Sequence, residues 1–202
     1  MKYFRLVYKG IDPQPLLAEI GKNEGAWLVN TSRQDKIRVQ RETNTIFLRS
    51  AVARSDLNGN ENQETAATKM SENFPLAMDF LTRVANHLNG TLSRATIVRL
   101  KPKSFVDVHI DTGSYYLIRD RFHFVLHSPS GSILQSGNER VRMNAGELWW
   151  FNNKQHHSSY NESDEWRIHY IFDILPPAFA SLAINPLPIE ATMTLCQAPK
   201  TE

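Results

Sequence analysis

The chain has 202 residues, a mass of 23.1 kDa and a formal charge of +2. Its 41% hydrophobic and 22% charged residues are an ordinary globular balance, and the length suits one domain with its own buried core. So small a charge, with no Lys/Arg-rich run, excludes a phosphate-binding stripe, and the lone Cys196 excludes an intrachain disulfide and suits a reducing, cytoplasmic setting.

Residues 2–8, KYFRLVY, predict a short strand, and no apolar stretch of signal-peptide length surrounds them. Asp12-Pro13 opens a helix as N-cap and first helical residue, with PLLAEI supplying its apolar face. From Trp27 to Ser50 the pattern is β: WLVN, then KIRVQ, then TIFLRS. Residues 51–69 are polar and aperiodic and predict an exposed loop. From Glu72 to Leu88 the apolar positions keep helical spacing, ended by Asn89-Gly90.

Beyond residue 92 the chain turns strand-rich. ATIVRL, VDVHID, RFHFVLHS, GSILQS, ERVRMN, GELWWFN and EWRIHYIFDIL are short, β-branched or aromatic, and separated by turn residues. They predict a mostly β fold, a double-stranded β-helix of the jelly-roll or cupin type, with the N-terminal helices packed outside it. A single domain over 1–202 then divides into N-terminal strands and helices (1–92), a jelly-roll core (93–175) and a Pro-rich tail (176–202). The apolar stretch from Ile168 to Ile189 is broken by Asp173, Pro176, Pro177, Asn185 and Pro186, so no membrane-spanning helix is expected there. The tail has five prolines and no steady period; it either wraps the barrel or forms an interface, and a homo-oligomer is left open.

The chemistry concentrates in the strands. Six of the seven histidines lie between His109 and His169. In VDVHID, alternation puts His109 and Asp111 on one face, about 6.7 Å apart along the strand, close enough for both side chains to reach one ion. A distant histidine, His156 or His157, would complete the two-histidine, one-carboxylate triad of non-haem Fe(II) oxygenases, which leaves coordination positions open for substrate and oxygen. RFHFVLHS sets Arg121 and His123 on one face, opposite Phe122, Phe124 and Leu126. EWRIHYIFDI sets Arg167, His169 and Asp173 opposite Ile168, Tyr170 and Phe172. Two strands thus each present an arginine and a histidine together. Converging inside a barrel, they would make a cationic site for a small dianion. His127 and His169 read as hydrogen-bonded structural histidines, and Trp149, Trp150 and Phe151 as core.

The stretch from His109 to Leu175 resembles the aspartyl/asparaginyl β-hydroxylase family of Fe(II)/2-oxoglutarate oxygenases, including bacterial relatives such as the cis-proline hydroxylases. The residues that carry the resemblance are His109-Ile110-Asp111, Arg121-Phe122-His123, Glu139, GELWWFN (146–152), His157, Arg167 and Asp173, with a weaker extension back to residues 97–102. The resemblance implies Fe(II) on His109, Asp111 and His157. It places the distal carboxylate of 2-oxoglutarate on Arg167, with His123 contacting the same co-substrate and Arg121 beside it or beside a substrate carboxylate. His157, ten residues before Arg167, is favoured over His156, which becomes a neighbour. Animal members of the family lack the metal carboxylate, so Asp111 sides with the bacterial small-molecule branch and argues against halogenation.

The expected function is an Fe(II)- and 2-oxoglutarate-dependent dioxygenase, with O₂ as co-substrate. It would hydroxylate an unactivated C–H of a free amino acid or an amino-acid-derived metabolite. Arg99, Arg119 and His156 are candidate substrate contacts. The alternatives are a hydroxylase of a peptide or protein Asp, Asn or other side chain, a metal-binding cupin without oxygenase activity, and an interaction protein working through its tail. The expected partner is a small molecule, not nucleic acid or membrane.

Overall fold

The computed structural model describes residues 1–31, 40–185 and 187–197. Eleven strands form two antiparallel sheets among these residues. The larger runs β1 (Phe4–Tyr8), β9 (Leu148–Phe151), β6 (Asp120–His127), β11 (Arg167–Leu175), β4 (Thr91–Leu100), β2 (Thr43–Ala51) and β3 (Thr65–Ala67). The smaller runs β5 (Ser104–His109), β10 (His157–Asn161), β7 (Ser132–Ser136) and β8 (Glu139–Val141). The fold is the expected mostly β jelly roll.

Alternation decides what each face of the larger sheet does. Phe122, Phe124 and Leu126 of β6 and Tyr170, Phe172 and Ile174 of β11 join one apolar cluster with Leu16, Ile20, Ala77 and Leu81 from helices α1 (Gln14–Lys22) and α2 (Pro75–His87). The intervening residues face the smaller sheet. At one end of that space Phe4, Val125, Leu134, Val141, Trp149 and Phe151 pack together. At the other end the sheets part around a cavity.

Helix α1 begins one residue later than expected, with Pro13 at the N-cap, and the Asp12 carboxylate still accepts the Gln14 N–H at 3.0 Å. Helix α2 begins at Pro75 rather than Glu72, after a 3₁₀ turn over Lys69–Asn73. Its N-cap, Phe74, offers no side-chain acceptor. The buried Glu19 of α1 does this work instead, accepting the Leu76 and Ala77 N–H groups at 2.8 and 2.9 Å.

Two expectations are corrected. WLVN is not a strand: Glu24–Leu28 is a 3₁₀ helix that buries Trp27 and leaves Leu28 and Val29 exposed, so the apparent β pattern has one buried position. KIRVQ lies outside the described residues except for Gln40. The loop expected over 51–69 contains edge strand β3, paired with β2 through Arg49↔Ala67 and Ala51↔Thr65. The tail folds into a 3₁₀ turn (Pro177–Phe179) and helices α4 (Ala180–Ile184) and α5 (Ile189–Gln197). Helix α5 touches α3 (Ser114–Leu117), where the Cys196 thiol donates to the Leu117 carbonyl at 3.1 Å. No described helix is long and apolar enough to cross a membrane.

Candidate active site

Strand β10, HSSYN, has no apolar alternation and no sequence signal for a strand, yet it is central to the smaller sheet. It pairs with β5 so that His157 stands opposite His109, with ring centroids 4.2 Å apart. Strand β5 ends at His109, and Asp111 lies just beyond, its N–H donating to the Asn153 carbonyl at 3.3 Å. One ligand atom from each of His109, Asp111 and His157 lies within 4.8 Å of the other two.

The local hydrogen bonds select the protonation states a cation needs. His109 Nδ1 lies 2.8 Å from the Asp107 carbonyl and His157 Nδ1 lies 2.9 Å from the Gln155 carbonyl. Each carbonyl is acceptor-only, so each Nδ1 carries a proton and Nε2 is the ring atom turned toward the cluster's ligand position. Burial lowers the His157 pKa to about 4, so its ring is neutral near pH 7. Burial pushes the Asp111 carboxyl up, but Arg121, His157 and the Asn153 amide together hold it below the usual carboxylate range. Two imidazoles and one carboxylate suit Fe(II), with three positions left for other ligands.

The two Arg-x-His pairs both face the cavity, with different surroundings. Arg121 donates from Nη1 to Asp111 Oδ2 at 2.6 Å and from Nε and Nη2 to the two Asp173 oxygens at 2.8 and 3.0 Å. Asp173 is 1% exposed, and the Tyr115 hydroxyl also donates to it at 3.2 Å. Arg121 is therefore a positioning residue of Asp111, with three of its five N–H donors taken by carboxylates.

Arg167 opens β11 and is 7% exposed. Its Nε and Nη2 lie 3.1 and 3.0 Å from the ring nitrogens of His169. Among the described residues no carboxylate pairs with it, and burial alone lowers its pKa to about 10. His123 Nδ1 is 3.1 Å from His169 Nδ1, and burial and the Arg167 charge hold both rings well below the ordinary histidine pKa. Arg167, His123 and the His109–Asp111–His157 cluster line one cavity of about 250 Å³.

The structure separates the remaining candidates from this cavity. Arg99 shares the outward parity of Ile97 on β4 and lies between the Trp27 and Trp166 rings, 4.5 and 4.3 Å from their centroids. Arg119 is 3% exposed and is spent on Ser93 Oγ, the Gln63 side chain and carbonyl, and the Tyr115 carbonyl. His156 is exposed. His127 meets Glu165 at 3.2 Å near the surface. Asn153 and Phe151 gain roles that the sequence did not reveal. Asn153 Nδ2 donates to Asp111 Oδ2 at 2.9 Å. Phe151 stands edge-on to His123 and His157, at 4.9 and 5.3 Å. His169 braces Arg167.

The model of the aspartyl/asparaginyl beta-hydroxylase family matches residues 54–177, more than half of the sequence, and the chain belongs to that family. As a member of that family it is an enzyme, a hydroxylase. A Pseudomonas putida prolyl-4-hydroxylase shares the fold, with 13% identity, a TM-score of 0.51, and 86% of this chain and 92% of that one covered. More distant are an oxidoreductase of the 2OG-Fe(II) oxygenase family from Burkholderia pseudomallei (11% identity, TM-score 0.47, 66% of each chain) and a viral collagen prolyl hydroxylase from Paramecium bursaria Chlorella virus 1, solved with 2OG (10%, 0.47, 85% and 95%). No curated protein matches this sequence.

Proposed function

We propose that the protein is an Fe(II)- and 2-oxoglutarate-dependent dioxygenase that hydroxylates an unactivated C–H bond of a free amino acid or an amino-acid-derived metabolite. The observation that carries this reading is the uncompensated guanidinium of Arg167, buried in the same cavity as His109, Asp111 and His157. A buried cation without an anion is costly, and a planar guanidinium takes a carboxylate through paired N–H donors.

His109, Asp111 and His157 would hold Fe(II), and Arg167 the distal carboxylate of 2-oxoglutarate, with His123 as a neutral partner at its side. The chemistry supplied there, with 2-oxoglutarate and O₂ as co-substrates, is replacement of a C–H hydrogen by hydroxyl while 2-oxoglutarate leaves as succinate and CO₂. The chain's own residues position and exclude. Arg121 and Asn153 fix one oxygen of Asp111, and the two histidine Nδ1–H groups fix the ring planes. Phe151 places an apolar ring between His123 and His157 and keeps water from between them.

Addition of Fe(II) and 2-oxoglutarate without O₂ should give a weak visible charge-transfer band in the wild type. Asp111→Ala should lose the band and all substrate-stimulated succinate release, whereas His156→Ala should keep both. A colourless, folded wild-type protein would favour a metal-binding cupin that does not use 2-oxoglutarate.

A further inference from the structure

The cavity has a second cationic end. Arg167 pairs with Leu100 at one end of β4, and Arg94 lies six residues back along that strand, a rise of about 20 Å. Arg49, on β2 opposite Ala95, neighbours it across the β2–β4 pair, and both arginines line the cavity with Asn60 and Tyr116.

Among the described residues the hydrogen-bond acceptors of these two arginines are all neutral. Arg49 donates to the Ser93 carbonyl at 2.9 Å and to Thr65 O and Oγ1 at 3.0 and 3.3 Å. Arg94 lies 3.7 Å from the centroid of the Tyr115 ring. It donates to the Gly59 carbonyl and, at 3.4 Å each, to Asn60 Oδ1 and the Tyr116 hydroxyl. Its Nε is buried and unpartnered. Among the described residues neither arginine has an ion pair.

The loop carrying Gly59 and Asn60 is built against this end. Gly113, at φ +116°, packs so closely that a Cβ there would lie 2.5 Å from the Asn60 carbonyl, which accepts the Tyr115 N–H at 3.1 Å. The Tyr115 hydroxyl joins the two regions. It accepts the Arg94 N–H at 2.9 Å and donates to Asp173, which holds Arg121 and through it Asp111. The described carboxylates lining the cavity are Asp111 and Asp173, and both are already engaged. None remains to receive an ammonium.

We propose that the organic substrate is a net anion: a carboxylate received by Arg94 and Arg49, with no free ammonium group. Within the hydroxylase reading on which this rests, the substrate is an amino-acid-derived acid whose nitrogen is acylated or absent, and not a zwitterionic amino acid. Its body lies against Phe47, Ala51 and Thr96 on the way to the metal cluster.

The test titrates N-acetylleucine, isovalerate and leucine by calorimetry into anaerobic protein saturated with Fe(II) and 2-oxoglutarate, with the visible band recorded in parallel. N-acetylleucine or isovalerate should bind at least tenfold more tightly than leucine. Arg94→Gln should weaken that binding tenfold or more without changing the band. Leucine binding as tightly as the anions, no anion binding up to tens of millimolar, or an unchanged affinity in Arg94→Gln each overturns the proposal. Absence of the band instead counts against the hydroxylase reading, so the two failures are separable.

Discussion

Arg121-Phe122-His123 and Arg167-Ile168-His169 are the same pattern on neighbouring strands, and the fold treats their arginines in opposite ways. Both guanidiniums are taken from water, and both face the cavity. Arg121 meets two carboxylates from different parts of the chain and is held well above the usual arginine pKa despite its burial. Arg167 meets imidazoles and is lowered to about 10. One arginine is a structural counter-ion that aims a metal ligand; the other is an unmet demand for an anion. Burial alone therefore does not mark a binding arginine: the absence of its carboxylate does.

That contrast is broken most directly by removing each charge from the metal-free protein. Arg121→Met leaves Asp111 and Asp173 buried without their cation and should lower unfolding free energy by about 3–5 kcal/mol in urea. Arg167→Met removes an unpaired buried charge and should change stability by less than about 1 kcal/mol, or raise it. Equal losses in the two variants would show that Arg167 has a structural counter-charge after all.

The ligand side of the comparison is sharpened by the same Arg167→Met protein. Loss of a buried guanidinium–carboxylate contact costs roughly 2–5 kcal/mol, so the 2-oxoglutarate concentration giving half-maximal succinate release should rise about 30-fold or more. Iron binding, followed separately, should stay near the wild-type level. A half-saturation within a factor of three of wild type would move the co-substrate carboxylate elsewhere in the cavity.

Much of this architecture is legible in the residues because alternation is local. Phe122, Phe124, Tyr170 and Phe172 are apolar at every second position, so the faces of β6 and β11 follow from their spacing. His109 and Asp111 stand out for the same reason. What the sequence hides depends on partners far along the chain. Strand β10 is written in Ser, Tyr and Asn because its buried Asn161 is satisfied by the Leu100, Lys101 and Glu165 carbonyls, not by an apolar neighbour. Arg99 and Arg94 fall on opposite faces of β4 by alternation, but which face meets the cavity depends on the strands paired beside it. The helical tail was hidden by its prolines: Pro176 and Pro177 precede α4 and Pro188 precedes α5, rather than lying inside these helices.

The smallest predicted effect concerns Asn153, the neutral counterpart of Arg121 in holding Asp111. Both donate to Asp111 Oδ2, at 2.9 Å from the amide and 2.6 Å from the guanidinium, but only Arg121 also supplies charge. Asn153→Ala removes one orienting hydrogen bond and leaves the carboxylate ionised beside Arg121. Outer hydrogen-bond partners of metal ligands are typically worth about 10–100-fold in affinity, and the retained Arg121 contact puts this variant at about tenfold for Fe(II). Its 2-oxoglutarate requirement at saturating iron should match wild type, because Arg167 and His123 are untouched. A shift in that requirement as large as the loss of iron affinity would mean that Asn153 supports the whole cavity wall, whereas an effect confined to iron separates the orientation of Asp111 from its charge.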